Sequence, residues 1–152
     1  MLKKKSALEK ATELLAHMEQ SSATLRRKLL ARHYDAAEVD AAIDKLKQHH
    51  YLDDAEACSN QFAAFYAEGK LGTRQIVAKL IQRGFDKDFI EGLIPDDADD
   101  HDLKAASRAL EKKFAPDTFD RAKAWQFLSA RGFDGNIISA IVEEFSRTAK
   151  TD

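Results

Sequence analysis

The stretch KLIQRGFDKDFIEGLI, residues 79–94, has counterparts at residues 28–43 (KLLARHYDAAEVDAAI) and at residues 127–142 (FLSARGFDGNIISAIV). Each copy carries a leucine, an arginine three positions later, a glycine or histidine, an aromatic residue and an aspartate. The copies are offset by 51 and then by 48 residues. A period of this size predicts repeated structural units, each of which buries its apolar face partly against its neighbour.

The five-residue motif itself predicts a joint between two helices. Its arginine complements the negative end of a helix dipole, and its glycine accepts the left-handed conformation that ends many helices. The aromatic residue is expected to pack back onto the helix that has just ended, and the aspartate to cap the next helix. In the first copy His33 replaces the glycine, which predicts either backbone strain or a different turn.

An amphipathic segment precedes each joint, so each unit is expected to contain three helices. The second helix of each unit is expected to begin at one of three residue pairs, namely Ser21-Ser22, Gly72-Thr73 and Pro116-Asp117. The predicted helices cover residues 6–18, 22–32, 36–48, 54–67, 73–83, 87–94, 99–113, 118–131 and 135–147.

The fold class that follows is all-α: three tandem three-helix repeats, helix-turn-helix-like, in an extended and curved array. We place the units at residues 1–52, 53–97 and 98–152. Only 6 glycines and 2 prolines occur, and no stretch approaches the roughly 20 apolar residues that span a bilayer. The single cysteine, Cys58, excludes an intrachain disulfide and fits a reducing compartment, so we expect a cytoplasmic protein.

Two sets of basic residues are the candidate partner-binding residues. The first lies on the second predicted helix, where residues 21–34 contain no acid. The second set echoes it one repeat later. Such a surface suits DNA phosphate or an acidic protein groove, and the alternative is an ordinary solvated helix face. The residues are Arg26, Arg27, Lys28 and Arg32 in the first set, and Lys70, Arg74, Lys79 and Arg83 in the second.

Four stretches resemble the RecX family, bacterial regulators of the RecA recombinase. They are SATLRRKL at residues 22–29, YLDD at 51–54, GKLGTRQI at 69–76 and LIQRGF at 80–85. Their order and spacing match the family pattern over residues 7–94, whereas residues 99–147 match mainly in the repeat. His50 stands where the family usually has glycine, and Thr73 where it often has proline.

The resemblance implies a negative modulator that binds the RecA–DNA filament and limits its ATPase, strand-exchange and co-protease activities. It places the chain in homologous recombination, DNA repair and the SOS response. We expect a monomer that acts without a cofactor, a metal or a membrane, with a weak DNA contact left open. The resemblance carries no catalytic residues, and the sequence has no nucleophile motif or phosphate-binding glycine loop, so we expect a protein that is not an enzyme.

Other residue groups have structural interpretations. In the stretch at 51–54, Tyr51 and Leu52 are expected to be buried between units, and one of the two aspartates to cap a helix. Cys58 and Trp125 are expected in the core, although Trp125 is also compatible with partial exposure. The adjacent histidines at 49 and 50 point about 100° apart on a helix, which argues against a metal site. The aspartates of residues 96–102 predict a solvated linker that begins the next helix.

Two rival functions remain open. Three-helix units resemble helix-turn-helix DNA-binding domains, but a formal charge of −2 and an acidic middle unit oppose direct DNA binding. Residues 53–102 carry 5 basic and 12 acidic residues. A purely structural helical adaptor predicts neither DNA nor RecA binding.

Overall fold

The computed structural model describes residues 4–151, with side chains for residues 4–148. This part of the chain holds nine α-helices and one 3₁₀ turn and no β-strand, which confirms the all-α prediction. None of its helices is long and apolar enough to span a bilayer. The helices are α1 (Ala7–His17), α2 (Ser22–Ala31), α3 (Ala36–Gln48), α4 (Asp54–Glu68), α5 (Thr73–Gln82), α6 (Lys87–Gly92), α7 (Ala98–Lys113), α8 (Arg121–Ala130) and α9 (Gly135–Thr151).

The helices group in threes, and each packs mainly against the two others of its group. Three separate apolar cores result, which draw on residues 7–52, 57–94 and 103–145. The middle helix of each group supplies at least one fully buried leucine or isoleucine to its core, and its apolar residues follow a three-residue and four-residue spacing. We call these groups the first, second and third units; the exact boundaries at residues 52 and 97 stay a prediction.

The repeated motif forms the same helix end three times. After α5, the Gly84 N–H donates to the Ile81 carbonyl at 2.9 Å, and the Phe85 N–H donates to the Leu80 carbonyl at 3.1 Å. The same two bonds close α2 and α8. The φ angles at the glycine position are 91° at Gly84, 81° at Gly132 and 68° at His33. His33 therefore adopts the strained left-handed conformation, and the turn does not differ.

The aspartate of the motif caps helices less uniformly than predicted. Asp86 accepts a bond from the Phe89 N–H at 2.9 Å, which confirms its capping role. Asp35 occupies the cap position of α3, but its side chain makes no capping bond there, so that part of the prediction is wrong. Glu38, in the first turn of α3, instead accepts from the Ala7 N–H at the start of α1, at 2.9 Å.

The start of α8 also differs from the prediction. Pro116 and Asp117 begin only a 3₁₀ turn, and the helix begins at Arg121, where Asp120 accepts from the Lys123 N–H at 3.1 Å. Phe119 explains the delay, because its backbone is extended while its ring packs 4.8 Å from that of Phe145. The backbone at Phe119 stays extended so that its ring reaches the core, and the helix therefore begins only after this residue.

Neighbouring units meet at a first junction, between units one and two, where the start of α2 abuts the end of α5. The Ser21 and Thr24 hydroxyls donate to the Arg83 carbonyl at 2.5 and 2.7 Å. The Ser22 N–H and hydroxyl both donate to the Asp54 carboxylate, at 2.7 and 2.5 Å. A carboxylate from the next unit thus satisfies backbone groups that a helix start leaves free.

The second junction, between units two and three, repeats this arrangement. The Gly72 N–H donates to the Arg131 carbonyl at 3.1 Å. The Thr73 N–H and hydroxyl donate to Asp102 at 3.1 and 2.9 Å. Asp102 is only 6% exposed, so the predicted solvated linker is wrong for this member of the aspartate run, which faces Thr73 from inside α7.

An aromatic pair reinforces the second junction. The imidazole of His101 stacks on the Tyr66 ring with centroids 3.7 Å apart, and its Nε2 lies 2.7 Å from the Tyr66 carbonyl oxygen. Its Nδ1 lies 2.8 Å from Asp102. The Tyr66 hydroxyl donates to Asp97 at 2.9 Å. Burial, together with that bond and the neighbouring aspartates, raises the pKa of Tyr66 to about 12.

Candidate partner-binding surface

Arg26 and Arg27 both lie exposed on α2, as expected of adjacent residues that cannot both face a core. The Arg26 Nε donates to Asp40 on α3 at 2.8 Å, and this hydrogen bond raises the pKa of Arg26. Arg27 makes no hydrogen bond or ion pair with the described residues. Its guanidinium is therefore the more available of the two for a partner.

Lys28 and Arg83 are brought together at the first junction, where they line a cleft of about 290 Å³. The Arg83 Nη1 donates to the Gln61 side-chain oxygen at 2.7 Å, and its guanidinium lies 4.9 Å from the centre of the Phe65 ring. These contacts hold the guanidinium in place at the rim of the cleft. We call this site the first cleft; Glu19 is its acidic residue.

The remaining predicted residues are dispersed. The Arg32 Nη1 donates to the Lys28 carbonyl at 3.0 Å, so this arginine caps its own helix. Arg74 is 72% exposed and lies 3.3 Å from Asp134 across the second junction. Lys79 is half-buried on α5, and Lys70 pairs with Glu68 at 3.3 Å. The eight predicted residues do not form one continuous site.

A second cleft, of about 450 Å³, lies at the second junction and was missed by the sequence interpretation. Lys70 lines it together with three cations of the third unit, Arg108, Lys112 and Arg131. Arg108 and Lys112 are four residues apart on α7 and so share one face of that helix. That spacing was visible in the sequence, but their proximity to Lys70 depends on how the units pack.

Tyr51 is a correction to the prediction that it is buried between units, because its side chain is 75% exposed. Tyr51 follows His50, which has a φ of 61° just after α3. This turn directs the Tyr51 side chain outward, whereas Leu52 is buried in the first core. Asp53 caps α4 by accepting from the Glu56 N–H at 3.0 Å, as predicted. Tyr51 lines an apolar groove between α1 and α3 with Leu8 and other residues.

Cys58 and Trp125 differ in their environment. Cys58 is 1% exposed within the second core, which confirms its structural role, and burial raises the pKa of its thiol. Trp125 is 40% exposed. The core position expected for it is therefore wrong, and the alternative of partial exposure is confirmed. Among residues 4–148, no three histidine, cysteine, aspartate or glutamate side chains are grouped so that they could hold a metal ion.

The arrangement as a whole offers cationic side chains at two inter-unit clefts and on the exposed side of α2. Guanidinium groups bind carboxylates and phosphates through paired hydrogen bonds, and ammonium groups add charge. These separate cationic surfaces are each suited to an anionic group on a macromolecule.

Comparison with known proteins identifies relatives along most of the chain. The family model for the first three-helix domain of RecX matches residues 7–46. Regulatory protein RecX of Vibrio parahaemolyticus is 32% identical over 138 residues, 88% of each chain. Regulatory protein RecX of Thermus thermophilus is 35% identical over 127 residues, 84% of this chain and 83% of that protein.

Solved structures agree at the level of the fold. The crystal structure of RecX from Lactobacillus salivarius superposes with a TM-score of 0.77 at 18% identity, over 93% of this chain and 95% of that chain. A second crystal structure of regulatory protein RecX gives a TM-score of 0.75 at 15% identity, over 90% and 71%. Similarity of this extent shows that the chain shares their fold.

Proposed function

Because the chain belongs to the RecX family of regulatory proteins, we propose that it is a negative modulator of RecA that binds the RecA–DNA filament. Binding would lower the filament's ATPase, strand-exchange and co-protease activities. The observation that carries this proposal is the 32–35% identity to RecX proteins over more than four-fifths of the chain. As a partner of a DNA-bound recombinase, the protein would act in the cytoplasm.

The exposed basic residues of the first two units are the proposed contact with the filament. Arg27 extends from α2 without a partner among the described residues, while Lys28 and Arg83 line the first cleft together. Negatively charged groups on DNA or on RecA would meet these cations, and the third unit would widen the contact. Electrostatic complementarity of this kind sets the association rate and the specificity more than the total affinity.

We propose a binding role and not a catalytic one. The relatives are named as regulatory proteins, and the thiol of Cys58, the strongest potential nucleophile, is buried and has a raised pKa. A thiol in that environment is a poor nucleophile because the thiolate is disfavoured. The protein would act as a monomer whose repeated units span several neighbouring sites of the filament.

The test is the ATPase activity of RecA on single-stranded DNA at a stoichiometric amount of this protein. We expect inhibition by the natural protein and a marked loss of inhibition in Arg26→Glu/Arg27→Glu. A matched control, Lys45→Glu/Lys47→Glu, reverses two exposed charges on α3 instead, and circular dichroism checks that both variants keep their helicity. An absence of inhibition by the natural protein would sink the proposal.

The same preparation discriminates the rival DNA-binding function. A helix-turn-helix protein would bind one DNA sequence tightly without RecA, with a steep dependence on salt. A structural adaptor would neither bind DNA nor inhibit RecA.

A further inference from the structure

On the basis of the function proposed above, we propose that the second cleft binds backbone phosphate of nucleic acid, with Lys70, Arg108, Lys112 and Arg131 as its ligands. Four cations and one acid, Glu68, line this cleft of about 450 Å³, which leaves a surplus of three positive charges. The cleft therefore has the charge and the size of a site for a polyanion.

Arg108 reaches the cleft because residue 69 has no side chain. A β-carbon added to Gly69 would lie 2.3 Å from the Arg108 Nη2. This nitrogen instead donates to the Gly69 carbonyl, at 3.4 Å. Gly69 also has a φ of 66°, so a larger residue there would be strained as well as in collision. The local backbone thus admits a guanidinium and fixes it with one weak bond, which leaves its other N–H groups for a ligand.

Arg131 is held in place from the other side. Its guanidinium lies 4.6 Å from the centre of the Phe127 ring, and its carbonyl accepts from the Gly72 N–H. The residue is half-buried, so part of its ordering cost is met by the fold before a ligand arrives. Two arginines anchored in this way present planar donor groups, which match the oxygens of phosphate in pairs.

The first junction shows that the fold does not need three of these cations, although Arg83 stands there at the position of Arg131. The repeat offsets align Glu19 with Lys70, and Asn60 and Ala64 with Arg108 and Lys112. In the first junction the Asn60 side-chain nitrogen donates to both Glu19 carboxylate oxygens, at 3.3 Å each. At these two aligned positions the first junction therefore has an acid bonded to an amide, whereas the second junction has two cations.

Like charges gathered in one cleft give it a positive potential that attracts anions, while water screens the mutual repulsion of the exposed side chains. The ion pair of Lys70 with Glu68 offsets little of this, because both side chains are at least half exposed and screened by water. An anion that enters the cleft balances the positive charge. The second junction thus has cations at positions where the first junction has none, and this difference between the repeats is the observation that points to a ligand.

Phosphate of nucleic acid fits better than the carboxylates of a protein. Nucleic acid carries one charge per nucleotide, about every 3.4 Å along each strand of a duplex, so a short segment balances a surplus of three charges within one site. Carboxylates on a folded surface are rarely so dense. The acids of residues 96–102 do not oppose this, because they lie just before α7 and in its first turns, while Arg108 and Lys112 lie in its C-terminal half.

The experiment measures binding of a fluorescein-labelled single-stranded oligodeoxynucleotide by anisotropy, without RecA and over a salt series. We expect Arg108→Gln/Lys112→Gln to weaken binding roughly tenfold at low salt and to lower the salt slope by about 1.4, since each phosphate contact contributes about 0.7. The control Lys45→Gln/Lys47→Gln removes two positive charges, as the cleft variant does, and is expected to bind like the natural protein. If the double variant does not fold, the single variant Lys70→Gln is expected to lower the slope by about 0.7.

Failure of DNA binding by the natural protein, or equal slopes for the cleft variant and the control, would overturn the proposal. So would a cleft variant that loses binding to labelled polyglutamate but keeps its binding to DNA, since the cleft would then suit an acidic protein. A natural protein that leaves the RecA ATPase unaffected, but whose DNA binding falls on neutralisation of the cleft, would overturn the proposed function and support the phosphate site.

Discussion

Gly132 lies so close to Gln75 that a β-carbon added to it would be 2.3 Å from the Gln75 β-carbon and 2.6 Å from its backbone nitrogen. Gly132 ends α8 in the third unit, and Gln75 belongs to the first turn of α5 in the second. The glycine of the repeated motif therefore serves two purposes: it allows the left-handed turn, and it lets the neighbouring unit approach. A β-carbon added to Gly84 would likewise lie 2.8 Å from the Ala23 β-carbon and 2.8 Å from the Ser21 hydroxyl oxygen, in the first unit.

Gly132→Ala is expected to lower the free energy of unfolding by about 2–4 kcal/mol, from the left-handed conformation and the collision with backbone atoms. Urea denaturation followed by circular dichroism measures the change. The control is Gly92→Ala, because Gly92 is helical and an added β-carbon there would meet nothing within 4 Å. Equal denaturation midpoints for the two variants would contradict the close approach.

His33→Gly is expected to raise the free energy of unfolding by about 1 kcal/mol, since glycine adopts a positive φ without strain. His33 is exposed and lies at neither junction between the described units, so no neighbour among the described residues requires a glycine there. His49→Gly provides the opposite case, because His49 has a φ of −90° and gains nothing from glycine. A stabilising His49→Gly, or a destabilising His33→Gly, would count against this explanation.

Asp102→Ala is expected to lower the free energy of unfolding by about 2–3 kcal/mol, because the Thr73 N–H and hydroxyl lose their buried acceptor. Asp99→Ala removes an exposed carboxylate from the first turn of the same helix and is expected to cost less than about 1 kcal/mol. Thermal unfolding of both variants tests the difference. Equal losses would mean that Asp102 acts only through its charge near the helix start.

Tyr66 is expected to make stability depend on pH in the alkaline range. Its pKa is about 12 in the folded chain, against about 10 for an ordinary tyrosine. Between these values the unfolded chain binds fewer protons, so the free energy of unfolding falls as pH rises from 10 to 12. Urea denaturation at several pH values, compared with Tyr66→Phe, isolates this contribution; the variant should lack it, and parallel curves would refute it.

The fold was predictable because its signals are local. A leucine, an arginine, a glycine and an aromatic residue within six positions define a helix end whatever surrounds it, and the motif formed as expected even with His33. The start of α8 was not predictable in the same way. Pro116 is a strong local signal for a helix start, but the position of the helix depends on where Phe119 finds its partners in the core.

The candidate site was only partly predictable, because it depends on contacts between units. Adjacent positions on one helix mean that Arg26 and Arg27 cannot both face the core, so exposure of at least one of them follows from the sequence. The meeting of Lys70 with Arg108 does not, since 38 residues separate them and only the packed junction brings them together. For the same reason the burial of Asp102 was hidden within a run of aspartates that otherwise faces water.

The junction has a direction. The starts of α2 and α5 offer N–H and hydroxyl donors, and the ends of α5 and α8 offer a carbonyl and a glycine. The start of one middle helix therefore meets the end of the next middle helix, and the two units join in one orientation only. An array with such a connector can lengthen or shorten by whole units without a new kind of contact. Among the described residues, the start of α8, capped by Asp120, is the middle-helix start that meets no further unit. A grafted fourth unit would need a motif glycine and one acid on its first helix, and α8 would need a serine or threonine in place of Arg121, so that a hydroxyl can donate to that acid as at Ser22 and Thr73. The reach of the array along a filament would then grow by one fixed step.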